Sequence, residues 1–194
     1  MKIGIDLDGV VIDSETTFRT YEEIFAIENL NYREIINIEE PKYQHRYNWS
    51  KEEQELFNEK YLLKAAQESN LMSGFLAIYE KLKNQGHEMI VITARGGFFE
   101  SMKDDAIRLL NKNNIVFDKY YWKVENKLEI CQRENIDLMI DDDHRIIKQI
   151  SDAKIKTLYF RDTNLKKMPE TEFVHEVNNW GDVYRYFCSL ERNG

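Results

Sequence analysis

The stretch Ile3-Gly4-Ile5-Asp6-Leu7-Asp8-Gly9 decides the fold of this chain. Its apolar half predicts a buried strand, and Asp8-Gly9 predicts a tight loop directly after that strand. Four further runs with strand character follow along the chain, at residues 89–92, 120–122, 138–140 and 155–160. The sequence therefore predicts five strands, the first of which ends in carboxylates.

Patterns typical of helices separate the later strands. An apolar face formed by Phe75, Ile78, Tyr79 and Leu82 predicts one helix, and further helices are predicted over 100–112 and 127–134. Strands that alternate with helices predict a parallel sheet covered on both faces, which is an α/β fold. In such sheets, ligands bind beyond the carboxyl ends of the strands.

Residues 14–73 differ in character from the rest of the chain. They are charged and aromatic, with helical spacing and no strand pattern, and Pro41 divides them into two helical parts. Ser50 followed by Glu53 predicts a capping box at the start of one helix. We therefore expect two units: a core formed by residues 1–13 and 74–194, and a helical insertion over 14–73.

Composition limits the classes of function. A length of 194 residues fits one core with a modest insertion, and a net charge of −8 disfavours binding to a nucleic-acid polymer. No run approaches the roughly 18 apolar residues of a membrane span, so no membrane partner is expected. The two cysteines, far apart in sequence, are typical of a reduced cytoplasmic protein.

Four carboxylates are predicted at one edge of the sheet. Asp6 and Asp8 follow the first strand, and Asp141 and Asp142 follow the fourth. Carboxylates brought together in this way repel one another unless a cation lies among them, and hard oxygen ligands suit Mg²⁺. A carboxylate that faces a phosphate can attack phosphorus, and a second carboxylate can protonate the leaving oxygen.

Two further residues complete this predicted site. Thr93 ends the second strand and Lys127 begins a helix, and they supply a hydroxyl donor and a fixed positive charge for a phosphoryl group. Each motif alone has a plainer interpretation, such as a turn at Asp8-Gly9, a helix cap at Thr93 or a solvated lysine at Lys127. The position of the acidic and hydroxyl residues at the carboxyl ends of predicted strands favours the phosphoryl-transfer site. For Arg95, substrate contact and a loop salt bridge are both open.

These motifs together resemble those of the haloacid dehalogenase superfamily of phosphatases. Asp6-Leu7-Asp8-Gly9-Val10 resembles the first motif, Ile92-Thr93-Ala94-Arg95 the second, Lys127 the third, and Ile140-Asp141-Asp142 the fourth. The resemblance implies a Rossmann-like core with a five-stranded parallel sheet, and a small helical cap inserted after the first strand. It also implies a magnesium-dependent hydrolase of phosphate monoesters that forms an aspartyl-phosphate.

The resemblance implies a role for each matching residue. Asp6 is the nucleophile and a magnesium ligand, and Asp8 is the general acid and base whose backbone carbonyl also binds the metal. Asp141 or Asp142 completes the magnesium shell, with Asp143 as a neighbour that orients a water or Lys127. The phosphate is held by Thr93, Lys127 and the backbone amides around Gly9 and Ala94.

Within the superfamily, the layout looks most like the 5'(3')-deoxyribonucleotidases and their bacterial relatives. This finer resemblance implies a small phosphorylated metabolite as partner, namely a (deoxy)nucleoside monophosphate. Phe18 and Trp49 are then candidates for contact with the base, although aromatic residues of the cap also suit its own core. The alternatives are a phosphatase for sugar phosphates or phosphoamino acids, a non-catalytic phosphate-binding module, and a dehalogenase.

Overall fold

The computed structural model describes residues 1–193 and has a six-stranded sheet in which all neighbouring strands are parallel. The strands are β1 (Lys2–Ile5), β2 (Glu88–Ile92), β3 (Lys119–Tyr121), β4 (Leu138–Asp141), β5 (Lys156–Phe160) and β6 (Val174–Val177). Their order across the sheet is β3-β2-β1-β4-β5-β6, which places β1 and β4 at the centre. The predicted α/β class and parallel sheet are confirmed.

The prediction of five strands is wrong by one, because it omits the edge strand β6. Val174 and Val177 of this strand are buried, but the exposed His175 and the half-buried Glu176 lie between them. A strand of four residues without a continuous apolar run cannot be distinguished from a loop by its sequence pattern. Its pairing with β5, from Thr157 to Phe160, identifies it only in three dimensions.

Helices occupy most of the segment between β1 and the rest of the core. They are α1 (Ser14–Leu30), α2 (Tyr43–Arg46), α3 (Lys51–Phe57) and α4 (Leu63–Glu68), with a π-helical turn (Asn58–Leu62) before α4. The predicted capping box is confirmed, because the Ser50 side chain accepts a hydrogen bond from the Glu53 amide while the Glu53 carboxylate accepts one from the Ser50 amide.

The two connections between this helical segment and the sheet lie side by side. The Asp13 amide donates to the Asn70 carbonyl at 2.8 Å, and the Met72 amide donates to the Val11 carbonyl at 2.8 Å. Ile12 and Leu71 form an antiparallel bridge between these two bonds. The chain therefore leaves the core and returns to it at one place.

The remaining helices cover both faces of the sheet. They are α5 (Phe75–Asn84), α6 (Glu100–Lys112), α7 (Lys127–Glu134), α8 (His144–Asp152) and α9 (Trp180–Asn193). Apolar residues of α5, α6 and α9 pack with Ile3 and Ile5 on one face. Residues of α7 and α8 pack with Ile90 and Met139 on the other. The bounds of α6 and α7 agree with the helices predicted from the sequence.

Trp180 joins the last helix to the loop that follows β1. Its ring is fully buried, and its indole Nε1 donates a hydrogen bond to the Val10 carbonyl at 2.8 Å. Phe75 packs edge-on against it with the ring centroids 4.9 Å apart. Buried indoles commonly have such a polar partner, and this bond ties the loop to the helix. Throughout residues 1–193, no helix has the length and apolar character needed to cross a lipid bilayer.

Candidate active site

The predicted site residues converge at one edge of the sheet. Asp6 directly follows β1, Thr93 directly follows β2, Asp141 is the last residue of β4, and Lys127 is the first residue of α7. The Asp6 amide donates to the Ile140 carbonyl at 3.0 Å, which extends the pairing of the two central strands up to the nucleophile position. Because the strands are parallel, their carboxyl ends meet, as the sequence predicts.

Lys127 lies between two buried carboxylates. Its Nζ atom is 3.0 Å from Asp6 Oδ2 and 2.7 Å from Asp141 Oδ2, and all three residues are buried. Burial raises the pKa of Asp6 to about 7, against the opposing effect of Lys127 and with a further increase from Asp141. Burial alone would lower the pKa of Lys127, but Asp141 and Asp6 outweigh it and raise that pKa. The ammonium is therefore held in its charged form beside the predicted nucleophile.

Asp6, Asp141 and Asp142 form a group that can hold a cation. One carboxylate oxygen from each lies within 4.8 Å of the others. Asp6 Oδ1 is buried and has no hydrogen-bond partner among the described residues. Burial, followed by the charges of Asp141 and Asp6, raises the pKa of Asp142 well above its ordinary value. An unpartnered buried oxygen within an acidic cluster fits a hard divalent cation such as Mg²⁺.

Asp141 and Asp142 differ in how much of each carboxylate is free. Asp141 Oδ2 is held by Lys127, and its Oδ1 accepts a hydrogen bond from the Asp143 amide at 2.9 Å. Asp142 lines the cavity described below and has no hydrogen bond or ion pair within residues 1–193. Asp142 is therefore the carboxylate of this pair that is free to bind a metal.

Of the two predicted roles for Asp143, orienting Lys127 is wrong, because its carboxylate contacts Arg145, and orienting a water stays a prediction. Its carboxylate accepts hydrogen bonds from the amide, Nε and Nη2 of Arg145, each at 2.9 Å. It thereby caps the start of α8, the arrangement that an aspartate at a helix N-terminus commonly adopts. The third aspartate of the run is a structural residue that presents Asp142 from a fixed loop.

Position 9 requires glycine for two reasons, its backbone conformation and the close approach of Asp142. Its φ of +71° lies in the left-handed region, and a Cβ atom at this position would lie 2.1 Å from Asp142 Oδ2. Its amide donates to the Ile12 carbonyl at 2.9 Å and to Ser14 Oγ at 3.1 Å, so this amide is not free for the predicted contact with a substrate. The amides of Leu7 and Asp8 have no acceptor within the described part of the chain. These two are the free donors of the loop.

Thr93 and Ala94 lie where the sequence predicts, on the wall of the cavity beside Lys127. Thr93 is almost fully buried, and its hydroxyl oxygen accepts a hydrogen bond from the Arg95 amide at 3.2 Å. That bond leaves the hydroxyl proton free to be donated. The Ala94 amide likewise has no acceptor among residues 1–193. Both groups suit an oxyanion placed above Asp6.

Arg95 forms a salt bridge and does not line the cavity. Its buried guanidinium contacts the Asp8 carboxylate, and its Nε donates to the Met102 carbonyl at 2.9 Å. Its Nη2 reaches the Ala66 carbonyl of α4 at 3.5 Å. Of the two interpretations that the sequence leaves open for Arg95, the structure agrees with the salt bridge.

A cavity of about 820 Å³ lies between the acidic edge of the sheet and the helical segment. Its floor contains the polar side chains Asp6, Asp8, Thr93, Lys127 and Asp142. Its walls include Phe18, Tyr43, Leu62, Phe98 and Met102, and the charged residues Glu15, Glu22, Lys42 and Lys123. The cavity therefore joins a polar floor to a largely apolar chamber, as is typical of small-molecule sites.

The two predicted aromatic contacts have different positions. Phe18 lines the cavity. Trp49 is buried inside the helical segment, stacked on Tyr47 with centroids 4.5 Å apart and packed on Phe25 and Phe57. It is not among the described residues that line the cavity. Trp49 belongs to the core of the segment, which is the plainer of the two interpretations that the sequence allows.

An ionic network beside the cavity was not predicted. Glu15 and Glu22 of α1 line the cavity, and the fully buried Arg46 bridges them, contacting Glu22 and placing Nη2 2.8 Å from Glu15 Oε1. The spacing of Glu15, Phe18 and Glu22 places them on one face of a helix, and that pattern was available in the sequence. Arg46 is remote in sequence from both glutamates, so no local pattern reveals the pairing.

No protein-family model matches this sequence, and no curated protein matches it. Solved structures do resemble it. A haloacid dehalogenase-like hydrolase from Streptococcus pneumoniae aligns with a TM-score of 0.70 and 16% identity, over 96% of this chain and 97% of its own. A predicted phosphatase from Clostridium acetobutylicum aligns with a TM-score of 0.66 and 15% identity, over 97% and 98%. A predicted phosphoglycolate phosphatase from Haemophilus somnus aligns with a TM-score of 0.58 and 14% identity, over 95% and 96%.

These likenesses establish the fold. The chain has the Rossmann-like α/β fold of the haloacid dehalogenase hydrolases, with its parallel sheet flanked by helices. One fold hosts many activities, so the reaction depends on the residues of the site.

Proposed function

We propose that this protein is a magnesium-dependent phosphohydrolase that uses Asp6 as its nucleophile and acts on a (deoxy)nucleoside monophosphate. One observation carries the proposal. Asp6 Oδ1 is buried without a partner, while the Oδ2 atom of the same carboxylate is 3.0 Å from Lys127 Nζ, on the floor of the cavity. A carboxylate held at one oxygen and free at the other is oriented for attack.

The proposed reaction has two steps. In the first, Asp6 forms a bond to phosphorus while the bond between phosphorus and the leaving oxygen breaks, and Asp8 donates a proton to that oxygen. In the second, Asp8 takes a proton from water, the water oxygen bonds to phosphorus, and the bond to Asp6 breaks. The sum of both steps is the hydrolysis of a phosphate monoester. The Thr93 hydroxyl and the Lys127 ammonium stabilise the negative charge on the transferred group.

Asp6, Asp142 and the backbone carbonyl of Asp8 are the proposed ligands of Mg²⁺. The buried oxygen of Asp6 and the unpaired carboxylate of Asp142 suit such an ion. When bound, Mg²⁺ supplies the positive charge that offsets the repulsion between these carboxylates and a phosphate.

We further propose that residues 14–73 act as a cap over the core formed by residues 1–13 and 74–194. Their two adjacent connections to the core and the position of the cavity between the two units support this division. A cap of this kind excludes water from the phosphate and contacts the rest of the substrate.

The apolar chamber supports a nucleoside monophosphate over a smaller ester. Phe18, Leu62 and Met102 supply flat or apolar surface above the polar floor. A nucleobase would be covered by these side chains, whereas a short sugar phosphate or phosphoamino acid would leave them in contact with water.

Phosphate release from a panel of monophosphates, with and without Mg²⁺, tests the proposal. The panel contains nucleotides, sugar phosphates, phosphoserine and an aryl phosphate. We expect metal-dependent release that is fastest with nucleotides and is lost, at least about a thousandfold, in Asp6→Asn. Asp104→Asn is the matched control, because Asp104 is exposed on α6.

Each other outcome identifies a different error. Faster release from sugar phosphates would retain Asp6 as nucleophile and contradict the nucleotide assignment. A folded wild-type protein that binds phosphate and releases none from any ester would instead be the non-catalytic binding module. Full activity in Asp6→Asn would contradict the nucleophile assignment.

A further inference from the structure

Helix α1 forms one wall of the cavity and begins directly after the loop that carries Asp6 and Asp8. Ser14, its first residue, has its Oγ atom 3.1 Å from the Gly9 amide. Ser14, Phe18 and Glu22 recur every fourth residue, and all three line the cavity. An α-helix rises about 1.5 Å per residue, so Phe18 lies roughly 6 Å, and Glu22 roughly 12 Å, further along the cavity wall. The position of each of these residues along α1 therefore gives its approximate distance from the end of the cavity where the phosphate is proposed to bind.

The Glu22 carboxylate is held rigidly at the far end of this row. Only 2% of the residue is exposed, and its Oε2 atom is in contact with Arg46 Nη1. Arg46 is itself fixed by Glu15 Oε1 at 2.8 Å and by the carbonyls of Glu40 and Pro41 at 3.0 Å and 3.1 Å. The direction in which Glu22 points is therefore determined by a buried cation with several other partners.

The second oxygen of this carboxylate is unused. Glu22 Oε1 has no hydrogen-bond partner among residues 1–193, although the residue lines the cavity. The residue is almost fully buried, so its carboxylate loses most of its hydration, which is costly. Burial raises the pKa of Glu22 to about 7 despite the opposing charge of Arg46, which reflects that cost. A hydrogen-bond donor supplied by a ligand would offset this cost of burying the carboxylate.

We propose that Glu22 is a specificity-determining residue whose free carboxylate oxygen accepts a hydrogen bond from an amino group on the base of the substrate. This inference rests on the proposed nucleotidase activity and narrows it to nucleoside monophosphates with an exocyclic amine. Phe18 lies between Glu22 and the phosphate end of the helix, where it would cover the face of the base. Glu22 lies roughly 12 Å along α1 from Ser14, a distance that an ester with two or three carbons does not span.

A pair of substrates that differ in one group tests this inference. Deoxycytidine and deoxyuridine 5'-monophosphates differ in an amino group against a carbonyl at one ring position. We expect a higher kcat/KM for the deoxycytidine ester in the wild type. At about pH 8, where Glu22 is ionised, the ratio of the two values should be at least about tenfold higher in the wild type than in Glu22→Gln, because the variant loses a hydrogen bond to a charged acceptor and its new amide can donate to the carbonyl.

Two controls accompany the measurement. Glu23→Gln changes the neighbouring glutamate, whose carboxylate accepts from the Tyr47 hydroxyl at 2.9 Å and does not line the cavity among the described residues, so the ratio should stay at its wild-type value. A small aryl phosphate that cannot extend to Glu22 should be hydrolysed by Glu22→Gln within about twofold of the wild-type rate.

The outcomes separate this inference from the activity on which it rests. An unchanged ratio in a Glu22→Gln protein that still hydrolyses the aryl phosphate would overturn the role of Glu22 and leave the phosphatase intact. If kcat/KM of the wild type for the deoxycytidine ester were no higher than for the deoxyuridine ester, that result alone would overturn the role of Glu22. No release from either nucleotide or from the aryl phosphate would overturn the proposed function itself.

Discussion

The Arg95 guanidinium contacts the Asp8 carboxylate and at the same time reaches the Ala66 carbonyl, 3.5 Å from its Nη2 atom. Asp8 belongs to the loop after β1, whereas Ala66 belongs to α4 of the helical segment. One buried side chain thus connects the proposed general acid to the proposed cap. The helical segment therefore adds a contact to the side chain that holds Asp8.

We expect Arg95 to act by positioning Asp8, and the leaving group of the substrate reveals this role. General acid catalysis contributes about 10²–10⁴-fold where the leaving oxygen needs a proton, and little where it departs as a stable phenolate. In Arg95→Met, kcat/KM for a nucleotide should fall at least tenfold more than kcat/KM for a nitrophenyl phosphate. Steady-state assays of both esters measure this difference.

The control for Arg95 is Arg108→Met, which removes an arginine whose carboxylate partner is Asp105 of the same helix. Both esters should keep their wild-type kcat/KM in that variant. Equal losses for the two esters in Arg95→Met would mean that Arg95 has only a general structural role.

Asp142 and Asp143 should respond differently to loss of charge. Asp142→Asn removes an unpaired carboxylate from the acidic group, so added Mg²⁺ should no longer raise the melting temperature. In Asp143→Asn the stabilisation should persist, because the carboxylate of Asp143 is occupied by Arg145. Thermal unfolding with and without Mg²⁺ measures both variants. Retained stabilisation in Asp142→Asn would remove this residue from the metal site.

Gly9→Ala and Gly86→Ala separate backbone strain from collision. Both glycines have positive φ, +71° and +79°, so a side chain at either position costs about 1–3 kcal/mol of unfolding free energy. Only at Gly9 would the new Cβ meet another group, the Asp142 carboxylate, since no heavy atom lies within 4 Å at Gly86. We expect phosphatase activity to disappear in Gly9→Ala and to survive in Gly86→Ala. Equal activity in both variants would contradict this role for Gly9.

Glu22 should make the protein less stable as the pH rises. Burial raises the pKa of Glu22 from 4.5 to about 7, although the facing Arg46 and Arg19 oppose this shift and Glu15 adds to it. Between these two values the folded state binds more protons than the unfolded state. The stability contributed by protonated Glu22 is therefore complete below 4.5 and is lost as the pH rises through about 7.

Urea unfolding across this range measures the effect. The free energy of unfolding of the wild type should decrease from about pH 5 to about pH 8 relative to that of Glu22→Gln, which cannot titrate. Parallel curves for the two proteins would show that Glu22 has an ordinary pKa in the folded state. Glu23→Gln serves again as the control, and its curve should follow that of the wild type.

The polar floor of the site was predictable because each residue follows a short buried strand or begins a helix. Asp6, Thr93 and Asp141 are placed by strand ends, and the ends of parallel strands meet whatever lies between them in sequence. Local patterns suffice for such residues. A local pattern of the same kind predicts the capping box at Ser50.

The cavity walls were less predictable, because they depend on which side of each helix faces the core. Trp49 and Phe18 are both aromatic residues in a helical segment, yet only Phe18 lines the cavity. The partners of Arg46 and of Arg95 lie in other elements, so no spacing along the chain identifies them. The sequence does not predict strand β6 for a related reason. Its two polar residues interrupt the apolar pattern of a strand, and only the pairing with β5 identifies it.

The bond between the Trp180 indole and the Val10 carbonyl joins residues 170 positions apart in the sequence. The loop that carries Asp6 and Asp8 is therefore synthesised 170 residues before its partner Trp180. During synthesis, the loop lacks its hydrogen bond to Trp180 until α9 has left the ribosome. We therefore expect this loop to reach its final conformation only after α9 has been synthesised and has folded onto the core.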